Sequence, residues 1–179
     1  MNAFLLLLAL SAGNMSSDKP DGVWSDIQGN PLPNTSFRKS INGFGGWLVV
    51  TPDQNWEEKW NTPSDTVPQF SEAKSVSMGK KIFVLIFFSN PAFSQEGEAS
   101  VTCDFDVERP DGTHSIQKPG VVCFKGSLKG PQANLYLSAP VINFLGESGD
   151  PPGIWIVRVT LKDQVKNTNI PLETTFTLQ

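Results

Sequence analysis

The sequence predicts an all-β chain, an antiparallel β-sandwich of about seven strands with one short helix, and three observations predict it. Polar and apolar residues alternate cleanly along 99–108, and 155–162 and 172–178 alternate as well. Ile82 to Phe88 is apolar without a break and rich in β-branched and aromatic types. Turn residues, in "SNP", "RPDGTHS", "GESGDPPG" and "QVKNTN", separate these segments at short intervals.

Each element follows in chain order. Phe4 to Leu10 is an apolar run followed by Ser11, Ala12 and Gly13, the pattern of a secretory signal peptide over 1–13. The run is too short to span a bilayer, which takes roughly 20 apolar residues, so no membrane span is expected once it is removed. Residues 14–40 are polar and turn-rich, with Trp24 and Ile27 as anchors, and read as an extended lead-in. The folded domain is expected over 41–179. "GFGGWLVVT" supplies its first strand; a strand follows the glycines where a phosphate loop would need a helix. "TPDQNWEEKW" then changes period. Thr51 suits an N-cap, Pro52 the first helical position and Gln54 the reciprocal place of a capping box, so a helix is expected over 52–60. Trp56 and Trp60, one turn apart, share a face.

A strand that is apolar on both faces, as 82–88 is, either is covered on both sides or waits for a partner. Along 99–108, Ala99, Val101, Cys103, Phe105 and Val107 point one way, and Asp104, Asp106 and Glu108 the other. "GVVCFKG" is the return strand. "NLYLSAPVINF" is a strand with a break at Pro140. Trp155, Val157, Val159 and Leu161 point inward on the next, and Leu172, Thr174, Phe176 and Leu178 share a face on the last. The midpoint of Cys103 and Cys123 falls in the "RPDGTHS" turn, so a hairpin sets the two cysteines opposite each other, within disulfide reach, and export supplies the oxidising compartment.

"DPPGIWIVRVTLKDQVKNTNIPLETTFTL" resembles the closing hairpin of bacterial immunoglobulin-like domains, with a Pro-Gly turn, an aromatic-started strand, an aspartate at its end and a final strand. "VSMGKKIFVLIFFSNP" is similar to their core B strand. The resemblance covers about 75–179 and implies a fold. It departs from the antibody pattern: the cysteines are 20 apart with no tryptophan between them, and the bond joins neighbouring strands.

Composition excludes several functions. The chain is acidic, net charge −4 with a pI near 4.9, and has no lysine–arginine cluster to meet nucleic acid or an anionic membrane. Its single histidine, His114, sits near Asp111 in a turn without a nucleophile, so no catalytic set is expected. One histidine and two bridged cysteines leave zinc without ligands, and alternate carboxylates on a strand stand about 7 Å apart, too far to share one calcium ion. No metal or cofactor is expected. The reading is therefore a non-catalytic periplasmic or secreted module that binds another extracytoplasmic protein or serves a structural role. The alternative is a carbohydrate-binding module using exposed tryptophans, with Trp56, Trp60, Trp24 or Trp47 under a sugar ring. Against that, a helix this short needs tertiary contacts, and the Trp56/Trp60 face is its only large apolar one.

Overall fold

The computed structural model describes residues 23–26, 28–62 and 68–179. The expected signal segment, and Ile27 of the lead-in, lie outside them. Among the described residues ten strands form two sheets. The first contains β1 (Arg38–Ile41), β2 (Phe44–Thr51) and β4 (Lys81–Ser89), with β7 (Leu135–Leu137) and β8 (Ile142–Leu145) both on the far side of β4. The second runs β3 (Ser75–Val76), β10 (Thr168–Leu178), β9 (Gly153–Asp163), β5 (Ala99–Glu108), β6 (His114–Gly126). All pairings are antiparallel except β3 with β10. One sheet thus orders β2-β4-β7/β8 and the other β10-β9-β5-β6, which is the immunoglobulin arrangement of A-B-E against G-F-C-C′.

Between the sheets, Leu48, Ile82, Val84, Ile86 and Phe88 of the first meet Val101, Phe105, Trp155, Leu161, Leu172 and Phe176 of the second. Trp155 is fully buried; it stacks on Phe176 at 5.9 Å and tilts against Phe144 at 4.8 Å. Two glycines of β2 allow close approach, Gly46 by the second sheet and Gly45 by the lead-in. A Cβ on Gly46 would lie 3.1 Å from Leu161 Cδ2 and 3.2 Å from Leu172 Cδ1. On Gly45 it would lie 3.0 Å from Val23 Cγ1 and 3.1 Å from Trp24 Cζ2. Backbone approach, not anion binding, is what "GFGG" provides.

The strand count exceeds the expected seven because short pieces complete the sheet edges. Arg38–Ile41 is strand, so the first sheet begins inside the segment 14–40 expected as lead-in, and β3 is two residues long. Such elements exist through pairing rather than through a pattern of their own. The break at Pro140 separates β7 from β8.

The helix also differs. Only Trp56–Trp60 is α-helical, its N-cap is Asn55, and no side chain caps it. Thr51 ends β2, where its hydroxyl accepts from Asp53 N at 3.2 Å, and Gln54 donates to the carbonyls of Pro52 and Lys81. The capping box does not form because Gln54 is drawn to β4. Asp53 instead ties the connection together: one carboxylate oxygen takes Lys59 Nζ at 2.6 Å and Ser71 N at 2.8 Å. Burial works against its charge, but Lys59, Ser71 and Thr51 outweigh it and lower its pKa to about 2. A lowered carboxyl pKa stabilises the fold at pH values above its unfolded value and ceases to as pH falls through the folded one. Asp53→Asn is therefore expected to cost about 1 kcal/mol at pH 7, after allowance for solvent screening. Urea midpoints of the two proteins should converge as pH falls from 4 toward 2.

Candidate functional site

Two surfaces carry the residues singled out in the sequence, and a third carries residues that were not. The outer face of the first sheet is the first. Phe83, Leu85 and Phe87 point away from the main core, yet Leu85 and Phe87 are fully buried. They are covered by Trp47, by both helix tryptophans and by Phe70. Trp60 meets the Phe87 ring at 5.2 Å, Trp56 meets Phe83 at 6.0 Å, and Trp47 meets Phe87 at 5.1 Å. The strand that is apolar on both faces thus has its cover within this chain, and it does not wait for a partner. Trp56 and Trp60 are half-buried, and Glu57 and Glu58 between them face solvent. Trp24 lies apart, half-buried over Gly45, its indole donating to the Lys39 carbonyl at 3.0 Å. The structure does not bring Trp24 together with the helix pair in one platform.

The outer face of the second sheet is the second surface. Its carboxylates meet cations across the strands. Asp104 pairs with Lys162 at 2.5 Å; Glu108 and Glu173 hold Arg158 at 2.5 and 2.8 Å. The hydrogen bond from Lys162 lowers the pKa of Asp104; burial opposes it and the Gly120 N–H assists. His114 contacts Asp106 at 2.5 Å, whereas Asp111 accepts from Thr113 in the turn. Cross-strand ion pairing accounts for this face.

The cysteines form the expected disulfide within this sheet, but they are not directly opposed. Val101 pairs with Phe124 and Thr102 with Val122, so Cys123 is the extra residue of a bulge; Cys103 pairs with Val121. The bond runs diagonally over a Cα–Cα distance of 5.9 Å, and both residues are fully buried.

The third surface was not anticipated. At one end of the sandwich four connections converge: 42–43, 90–98, 127–134 and 164–167. Asp163 sits at their centre, 1% exposed. Its Oδ2 accepts from Ala92 N at 2.7 Å, and its Oδ1 from Val165 N and Lys166 N at 3.0 and 3.1 Å. One buried carboxylate therefore joins the β4–β5 loop to the β9–β10 turn. Lys166 Nζ donates to the Asn42 carbonyl, Asn90 Nδ2 to that of Gly43, and Gln132 Nε2 to that of Pro91. Asn42, Asn90 and Asn167, the non-glycine residues with positive φ among those described, all lie here, where asparagine tolerates the left-handed region. Two large apolar side chains stand out from this framework: Phe93 at 40% exposure and Val165 at 39%. Val165 is bonded to Asp163 through its own N–H, and Phe93 follows Ala92.

The alternation carried one sign of this. Continuing the inward series Trp155, Val157, Val159, Leu161 by two residues places Asp163 inward, a charged group in a core position. For Phe93 and Val165 the sequence offered no sign.

No protein-family model matches the chain, and the comparison with curated proteins returns no match. Among solved structures it is similar to a family 123 glycoside hydrolase from Clostridium perfringens, at 8% identity and a TM-score of 0.42, over 75% of this chain and 27% of that one. It is also similar to the CARDB domain of a Pyrococcus furiosus protein solved with di-metal ions, at 11% identity and 0.40, over 82% and 95%. A third is the PKD domain of an M14-like peptidase from a Thermoplasmatales archaeon, at 16% and 0.30, over 59% and 86%. The chain spans about a quarter of the hydrolase. At these TM-scores none of the three bears on activity, and the fold stands on the two sheets described above.

Proposed function

We propose that this chain is a non-catalytic extracytoplasmic module that binds another protein through the loop end organised by Asp163. The observation that carries the reading is the pairing of a rigid backbone with raised apolar side chains. Binding loops work best when a scaffold fixes them beforehand, because little ordering entropy is then lost on association. Here the ties run through a buried carboxylate and side chain–backbone hydrogen bonds, and Phe93 and Val165 supply apolar contact. The buried disulfide supports an oxidising compartment, and among the described residues no helix is long and apolar enough to cross a membrane.

The test uses single substitutions on exposed side chains. A partner captured from the extracytoplasmic fraction and then purified should bind the wild-type protein. Phe93→Asp and Val165→Asp should each weaken it by about 30-fold, the effect of a central contact, with melting unchanged. Equal binding by Phe93→Asp would overturn the reading. So would a glycan that shifts tryptophan fluorescence in the wild type and not in Trp56→Ala, which would favour the carbohydrate module.

A further inference from the structure

We propose that the opposite end of the sandwich holds a binding site for a small oxyanion-bearing ligand, of the size of one acidic sugar. A hollow of about 580 Å³ lies there, between the β3–β4 turn, the end of β8 and the residues that follow β2. Small-molecule sites begin at about 300 Å³, so the volume suffices. Lys80, Lys81, Ser75, Ser77 and Gln54 line it, with Leu145 as an apolar flank at 46% exposure. Among the described residues no aspartate or glutamate lines it, in a chain with 18 acidic and 14 basic residues. The ion pairs among the described residues engage Lys59, Arg158, Lys162 and His114; Lys80 and Lys81 are in none of them.

The two lysines are held in place. Lys80 N donates to the Ser77 carbonyl at 3.1 Å, closing a four-residue turn with Gly79 at φ +75° in its third position, which favours glycine. Met78 N bonds the carbonyl of Gln179, and Gly79 N bonds that of Gly146 at 2.7 Å. The turn is thus fastened to the end of the last strand and to the end of β8. Lys81 opens β4, its carbonyl accepting from Gln54 Nε2 at 2.9 Å. Two lysines adjacent in sequence, Lys81 with its ammonium 6.0 Å from the centre of the Phe83 ring, and two serines border one hollow, a set that suits a carboxylate, sulfate or phosphate; Leu145 offers contact to the body that carries it. Two lysines are too few for a polyanion such as nucleic acid, whose binding needs many neutralised phosphates. The site lies at the far end from Phe93 and Val165, so it stands whether or not the loop end binds protein.

The experiment titrates the isotopically labelled protein with glucuronate, glucose 6-sulfate, glucose 6-phosphate and, as the neutral control, glucose. The acidic sugars should shift the amide signals of Ser75, Ser77, Lys80 and Lys81 saturably, and glucose should not. The strongest of the three identifies the oxyanion. K80E combined with K81E should weaken binding at least tenfold, and K125E, on β6, should leave it unchanged. Raising the salt should weaken it as well. A response equal for glucose, no saturable shift with any acid, or binding retained in the double variant would overturn the proposal.

Discussion

Asp163→Ala is expected to destabilise the fold by about 3 kcal/mol, because it leaves the N–H groups of Ala92, Val165 and Lys166 without their acceptor. An unsatisfied donor costs about 1–3 kcal/mol when buried and less at exposed Val165 and Lys166, where water recovers part of the sum. For a chain this long that corresponds to a fall in melting temperature of roughly 10 °C. Asp163→Asn should be more selective. An amide has one accepting atom, so if its oxygen keeps the two N–H groups of the β9–β10 turn, its NH₂ faces the Ala92 N–H. Two donors then oppose each other, and the β4–β5 loop is the part released. The variant should melt between wild type and alanine. Melting of both variants within 2 °C of wild type would show that Asp163 does not hold the end together.

Removing the Cys103–Cys123 bond should cost about as much. In the loop-entropy model a ring of about 20 residues contributes about 3 kcal/mol by restricting the unfolded chain. The bond also fixes a bulge in β6, a 13-residue edge strand whose pairing with β5 shifts register at three places. Urea midpoints with and without reductant measure the effect. Wild type under reductant and the Cys103→Ser/Cys123→Ser protein should both unfold at clearly lower urea. A midpoint indifferent to reductant would show that the bond adds nothing to stability, and it would remove the strongest support for an oxidising compartment.

How much of this was legible depended on period. Strands β5, β9 and β10 alternate over ten or eleven residues, and each appears where alternation placed it. The apolar run of β4 was legible as a strand either covered on both sides or awaiting a partner, and the Trp56/Trp60 face of the helix as needing tertiary contacts; Phe70 was not legible as part of the cover, because it reaches Phe87 from 17 residues away. Strands β1 and β3 are too short to show a period. The capping box over 51–54 failed because a tertiary bond from Gln54 to β4 competed with a local one. The disulfide partners were legible from symmetry about the hairpin turn, whereas the bulge that offsets them inserts one residue and leaves no mark in composition. The loop end was the hardest. Its apolar residues lie in irregular segments, and what joins those segments is a side chain in a neighbouring strand.

A preformed binding surface requires that end to be rigid in the free protein, and hydrogen exchange at the Ala92 amide tests this most directly. This N–H belongs to a loop, and Asp163 Oδ2 is its acceptor. It should exchange as slowly as the amides of β9 in the wild-type protein and orders of magnitude faster in Asp163→Asn, with the β9 amides much less affected. Exchange of Ala92 at the rate of an open loop in the wild type would contradict the account, and the preformed surface presenting Phe93 and Val165 would go with it.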